Sequence, residues 1–171
     1  MNTDEPRVLR KLLIGELTSK GSSDPEAENE LDLRACARVH FSSEHPEHPI
    51  DHLFDGTSGE GATRWVGGRR DRAETILLVF DEPRDIARCA FEAEERELVR
   101  TQEVCAEYMV ENGDTYQQCF IQEFNFSPAG ATYQRELITV NLRSVSRLRL
   151  TVLADKSRRG TVSLTALRLY R

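Results

Sequence analysis

The sequence predicts an all-β fold: an antiparallel β-sandwich of the jelly-roll type, preceded by a helical or irregular arm. Three observations carry that reading. From Ala35 onward, short segments rich in β-branched and aromatic residues follow one another, each bounded by Gly, Pro, Asp or Asn. Several of them alternate apolar and polar side chains with the period of a half-buried strand. No strand–helix–strand rhythm separates them, which argues against a parallel sheet with crossover helices.

The elements follow in chain order. Residues 1–35 read as an arm, in which RVLRKLLIGEL sets Val8, Leu12 and Leu13 at helical spacing and SKGSSDPEAENE follows as a solvated linker. Residues 36–171 read as the sandwich domain, with strands expected at ARVHF, TILLVF, IARCAF, VCAEYMV, QCFIQEFNF, ELITVNL, RLRLTVL and VSLTALRLY. Leu148, Leu150 and Val152 share one face of their strand, while Arg147, Arg149 and Thr151 share the other. The last segment shifts phase between Leu164 and Leu167, which predicts a bulge. In FNFSPAGATYQRE, residues 124–136, Pro128 and Gly130 are expected to carry the chain around one end of the sandwich before a strand restarts at Tyr133. The connection 43–73 is long for a compact domain, and such loops are often functional.

Composition sets outer bounds. A hydrophobic share of 39% and a charged share of 30% fit a globular chain, and no apolar run is long enough to span a membrane. The first residues lack an apolar core with a cleavage site, and the four cysteines, Cys36, Cys89, Cys105 and Cys119, show no zinc-like spacing. Together these predict reduced thiols and a cytoplasmic location. Residues 135–171 hold nine basic and two acidic side chains, a balance of +7 against −6 for the whole chain. The simple expectation is that these C-terminal strands pair with acidic neighbours. Although RSVSRLRL and ADKSRRG form a cationic edge, no interleaved aromatics are present for base stacking, so nucleic acid is not expected.

Several motifs come in a recognisable order. PIDHLFDG at 49–56 with TRW at 63–65, ILLVFDEPRDIARCAF at 76–91, YMVENGDTYQQC at 108–119, and the closing RLRLTVLAD and SLTALRLY resemble discoidin-like domains. These are the coagulation-factor type C modules of the galactose-binding-like superfamily, and the resemblance covers about residues 36–171. It implies that sandwich fold and non-catalytic binding of a glycan, a lipid head group or a protein. It also implies a structural calcium ion in the first loop, for which Asp55, Gly56, Glu60 and Thr63 match. The carboxylate that would close such a site from the last strand is replaced here by Ala166.

The residues yield no catalytic pattern: GxSxG, HExxH, the P-loop and GxGxxG are all missing, and no enzyme is expected. HPEHPIDH brings His45, His48 and His52 close in sequence, but its prolines hold the segment extended, so a loop cluster is expected rather than a metal centre. Ligand contacts are expected at loops on one end of the sandwich. The candidates are His45, His52, Arg64, Arg69 and Arg70 from the long loop, with Tyr133, Gln134, Arg135 and Glu136 from the restarted strand. The expected function is a non-catalytic module for carbohydrate or another small polar ligand. The alternative is a protein-interaction domain that docks a partner or a second copy.

Overall fold

The computed structural model describes residues 29–171. The helical spacing expected at Val8, Leu12 and Leu13 lies outside them. A one-turn helix, α1 (Leu33–Cys36), leads into β1 (Ala37–Phe41), and a 3-10 turn spans Ile50–Phe54. The strands that follow are β2 (Trp65–Val66), β3 (Glu74–Glu94), β4 (Arg100–Val110), β5 (Gln117–Phe126), β6 (Tyr133–Leu153), β7 (Ser163–Leu164) and β8 (Ala166–Tyr170).

Two long strands, β3 and β6, run through both layers of the sandwich. Their outer halves, 74–79 and 147–153, pair antiparallel between β1 and β4, and β5 completes that layer beyond β4. Their other halves, 86–94 and 133–142, pair with each other, and β8 adds to β3 to form the second layer. TILLVF and IARCAF were expected as two strands, as were ELITVNL and RLRLTVL. Each pair is instead one bent strand.

The bend has a local cause. Between Val79 and Arg84 β3 advances five residues while β6 steps two, and smaller register shifts follow on both sides of Ile86. On β6 the turn of the backbone needs left-handed conformations at Asn141 (φ 51°) and Ser144 (φ 52°). Asp85 secures the corner by accepting from the Ser144 amide at 2.9 Å and from Arg143 at 2.6 Å.

The core lies between the layers. Ile76 and Leu78 of β3 stand opposite Leu150 and Leu148 of β6, and all four are fully buried. Each contributes roughly 1.5–3 kcal/mol relative to exposure. From the second layer Phe91 meets Phe120 of the first, edge to face at 5.6 Å. The phase shift expected in VSLTALRLY is the break at Thr165. Before it, β7 pairs with β2; after it, β8 pairs with β3, and the Thr165 amide bonds to Glu92 O at 2.8 Å.

Packing begins earlier than the boundary expected at residue 36. Leu31 and Leu33 are buried, and Leu31 N–H donates to Leu169 O at 2.8 Å, so residues 29–35 belong to the sandwich. The SPAGA turn is closed by Ser127 N–H to Ala131 O and Gly130 N–H to Ser127 O, both 2.9 Å, and β6 starts at Tyr133 as expected.

Candidate functional site

Antiparallel pairing sends several loops to one end of the sandwich. The ends of β1 and β5, the starts of β4 and β6, and the β3–β4 and β6–β7 connections all lie there, opposite the bent corner. Between them opens a cleft of about 350 Å³. It is lined from the long loop by Arg64 and Arg70, from the β3–β4 turn by Glu94–Leu98 and Arg100, and from the β6–β7 loop by Gly160, Thr161 and Ser163.

The lining is built from inside outward. Arg100 is buried, with its guanidinium 3.0 Å from Glu95, and it donates to Thr161 O at 2.7 Å and Ser163 Oγ at 3.2 Å. It thereby holds the β6–β7 loop against β4. The Glu95 carboxylate also accepts the Glu97 amide at 2.9 Å and the Leu98 amide at 3.3 Å, which shapes the tight β3–β4 turn. Glu94, buried, pairs with Arg96. Asp71 accepts the Gly160 amide at 2.7 Å and joins the long loop to the opposite wall.

Of the residues expected at a ligand, Arg64 and Arg70 reach this cleft. Arg69 serves the frame, donating at 3.1 and 2.9 Å to the two oxygens of Glu74, which is fully buried. Ser42 and Ser43 also donate to Glu74. Burial pushes the Glu74 carboxyl up, but these donors outweigh it and hold it below its ordinary value. Gly67 is required beside it, because a β-carbon there would lie 2.7 Å from Glu74 Cγ.

Gln134 bonds both the N–H and C=O of Asn125 at 3.0 and 2.8 Å, so its amide joins the start of β6 to β5. Arg135 pairs with Glu92 at 3.7 Å. Burial and Glu92 together push the Tyr133 hydroxyl up to about 12. Glu136 lies next along β6, paired with Phe91. His45, His48 and His52 form a ladder with ring centroids 5.6 and 6.3 Å apart, and His52 Nδ1 lies 3.0 Å from Arg64 O. Burial, and then the Arg64 charge, draw the His48 imidazole below its ordinary value. No group of His, Cys, Asp and Glu among the described residues is placed to hold a metal ion.

The calcium expectation fails on the donor set. Asp55 Oδ1 accepts the Thr57 amide and hydroxyl at 2.8 Å, and Oδ2 accepts the Thr63 hydroxyl at 2.5 Å. Gly56 turns with φ 85°, and Glu60 is exposed. Calcium takes about 6–8 oxygen ligands, and one carboxylate already engaged by threonines does not supply them. The loop is fastened differently. Glu92, directly opposite Ala166, accepts the Gly59 amide at 2.8 Å, and Glu94 accepts the Gly61 amide at 2.8 Å.

The sequence reading missed Arg96, Arg100 and the β3–β4 turn. The charge run EAEEREL looks solvated, and only the fold shows that its carboxylates are paired. A second hollow, about 290 Å³, runs along β8 between residues 30–34 and 53–57. Its polar side chains are engaged: Glu30 with Arg168 at 3.6 Å, Arg34 with Asp51 at 3.7 Å, and Asp32 as the cap of α1.

No protein-family model and no curated protein matches the sequence. Solved structures do match. The chain is similar to the CBM32-3 module of a family 31 glycoside hydrolase from Clostridium perfringens, with 17% identity and a TM-score of 0.64 over 87% of this chain and 99% of that one. It is also similar to the family 32 module of C. perfringens NanJ, solved with galactose, at 14% identity and TM-score 0.57 over 84% and 98% of the two chains. A third similar structure is CpGH89CBM32-5 from C. perfringens, solved with GalNAc-β-1,3-galactose, at 15% identity and TM-score 0.58 over 83% and 99%. The chain shares the β-sandwich fold of these carbohydrate-binding modules.

Proposed function

We propose that the protein is a non-catalytic module that binds a saccharide at the loop end of the sandwich. The observation that carries this reading is the cleft of about 350 Å³, in which three separate loops converge with hydrogen-bonding side chains. Its frame is held by internal ion pairs, whereas Arg64, Arg70, Glu97 and Thr161 stand at its lining to meet hydroxyl groups. The similar carbohydrate-binding modules support a sugar as the ligand class, since the same sandwich presents its loops in each. The hollow beside β8 is the weaker choice, because its polar groups are already satisfied by one another.

A thermal-shift screen of the purified protein against mono- and oligosaccharides tests the reading. A ligand at a hundred times its dissociation constant stabilises the folded state by about 2.7 kcal/mol. The stabilising sugar should perturb backbone amides of the 95–100 and 155–163 segments in NMR spectra, and Thr161→Trp, which fills the cleft, should abolish the effect. Flat melting curves across the panel, or perturbations confined to residues 30–34 and 53–57, would refute this assignment.

A further inference from the structure

The charges around the loop-end cleft are unevenly satisfied, and the imbalance points to a class of ligand. Glu94 is buried and committed to Arg96 and the Gly61 amide, while Glu95 is committed to Arg100 and two turn amides. The acidic lining is therefore consumed by the frame, apart from Glu97. The basic lining is not. Arg64 is exposed and forms no ion pair with a described residue. Among the described residues Arg70 ion-pairs with Asp71, at 3.8 Å with its side chain 82% exposed, and Asp71 already accepts the Gly160 amide.

A smaller hollow of about 210 Å³ continues the cleft. It shares Arg70, Leu98, Arg100 and Gly160 and adds Val99 and Arg159. Arg159 is exposed and has no ion pair among the described residues, and the acid beside it, Asp155, is taken by Thr101 and Ser157. Two guanidinium groups without an ion pair among the described residues, Arg64 and Arg159, and the loosely paired Arg70 thus line the two hollows, which share Leu98 and also hold Val99, 55% and 80% exposed. Among the described residues no aromatic side chain lines either hollow. A neutral sugar would find no ring to stack on, whereas a carboxylate would find planar forks that bind it with two parallel hydrogen bonds.

We infer that the cleft recognises an acidic saccharide: a uronic-acid-type sugar whose carboxylate sits between Arg64, Arg70 and Arg159, with the apolar side of its ring over Leu98 and Val99. The inference rests on the saccharide reading above and narrows it. Calorimetric titration with an oligogalacturonide, its methyl ester and a neutral galacto-oligosaccharide of the same length tests it, at low and at physiological ionic strength.

The acid should bind at least about tenfold more tightly than its ester, and added salt should weaken it. Arg64→Ala with Arg70→Ala should remove that preference while leaving the melting temperature of the free protein unchanged, because both side chains are exposed. Arg147→Ala, on the outer face of β6, should leave binding as it is; a loss there equal to that of the cleft variant would mean diffuse charge attraction and overturn the inference. Equal affinity for acid and ester would overturn it too, and leave the saccharide reading standing. Binding by none of the three would remove both.

Discussion

Asp155 stands where β6 gives way to the loop that floors the cleft. Its carboxylate accepts the Ser157 hydroxyl and amide and, across the gap to β4, the Thr101 amide at 3.0 Å. The Ser157 hydroxyl first, then the two amides, hold the acid at about 2. A folded-state value below the unfolded one means that the stabilisation is complete above about pH 4 and is lost as the pH falls toward 2. Partial exposure reduces its size, so Asp155→Asn should cost about 1 kcal/mol at neutral pH. Melting curves of both proteins should converge as the pH is lowered from about 4 to about 2. A gap that stays constant over that range would show that the charge is not what holds the loop. The same loop end shows how much of the site the sequence discloses. Arg70 was legible because the glycines within VGGRRDR free its arginines for display, and Arg64 because it stands in the same long loop. Arg96 and Arg100 were not, since their roles depend on which buried carboxylate the fold sets beside each.

At the scale of elements, the strand pattern was legible and the continuity of the strands was not. Local propensity marks TILLVF and IARCAF equally well whether DEPRD between them is a turn or a bulged corner. The choice is made by β6, whose matching bend lets both halves pair. Two-residue β2 carried too little pattern to be seen, although Trp65 within it is the largest fully buried side chain. Alternation sets Glu92 and Glu94 on the face opposite Phe91, outward from the core, where solvent was the natural expectation. The 55–63 loop folds over that face instead, and the two carboxylates clamp it. Since those oxygens do the fastening, millimolar calcium or a chelator should leave the melting temperature unchanged. Glu92→Ala should speed hydrogen exchange at the Gly59 amide by about tenfold or more, the cost of losing a charged acceptor at a buried site. A calcium-dependent rise in melting temperature, or an unaffected Gly59 amide, would mean that something else closes the loop.

The whole molecule resolves its charge asymmetry by folding the basic end of the chain among the acidic part. Arg135 meets Glu92, Arg143 meets Asp85, Arg149 meets Glu107, Lys156 meets Glu123 and Arg168 meets Glu30. Every one of these pairs joins residues 135–171 to the preceding chain, as the charge pattern of the sequence implied. Each is worth little by itself at the surface. Three of them tie β6 to β3 and β4, Lys156 ties the β6–β7 loop to β5, and Arg168 ties β8 to the residues just before α1. The covalent path ties the layers together, because β3 and β6 contribute a half to each layer, and neither layer can lose its pairing without pulling those strands from the other. The sandwich should therefore unfold in one step. Trp65, the only tryptophan, is buried at the loop end and reports on packing there. Its fluorescence and the far-ultraviolet circular dichroism of the whole sheet should trace the same urea transition, with one midpoint and one slope. If the tryptophan signal is lost at lower urea than the strand signal, the loop end opens as a separate unit. The cleft would then be built on a locally weak part of the fold, so that its ligand must help to order it and not simply enter a finished site.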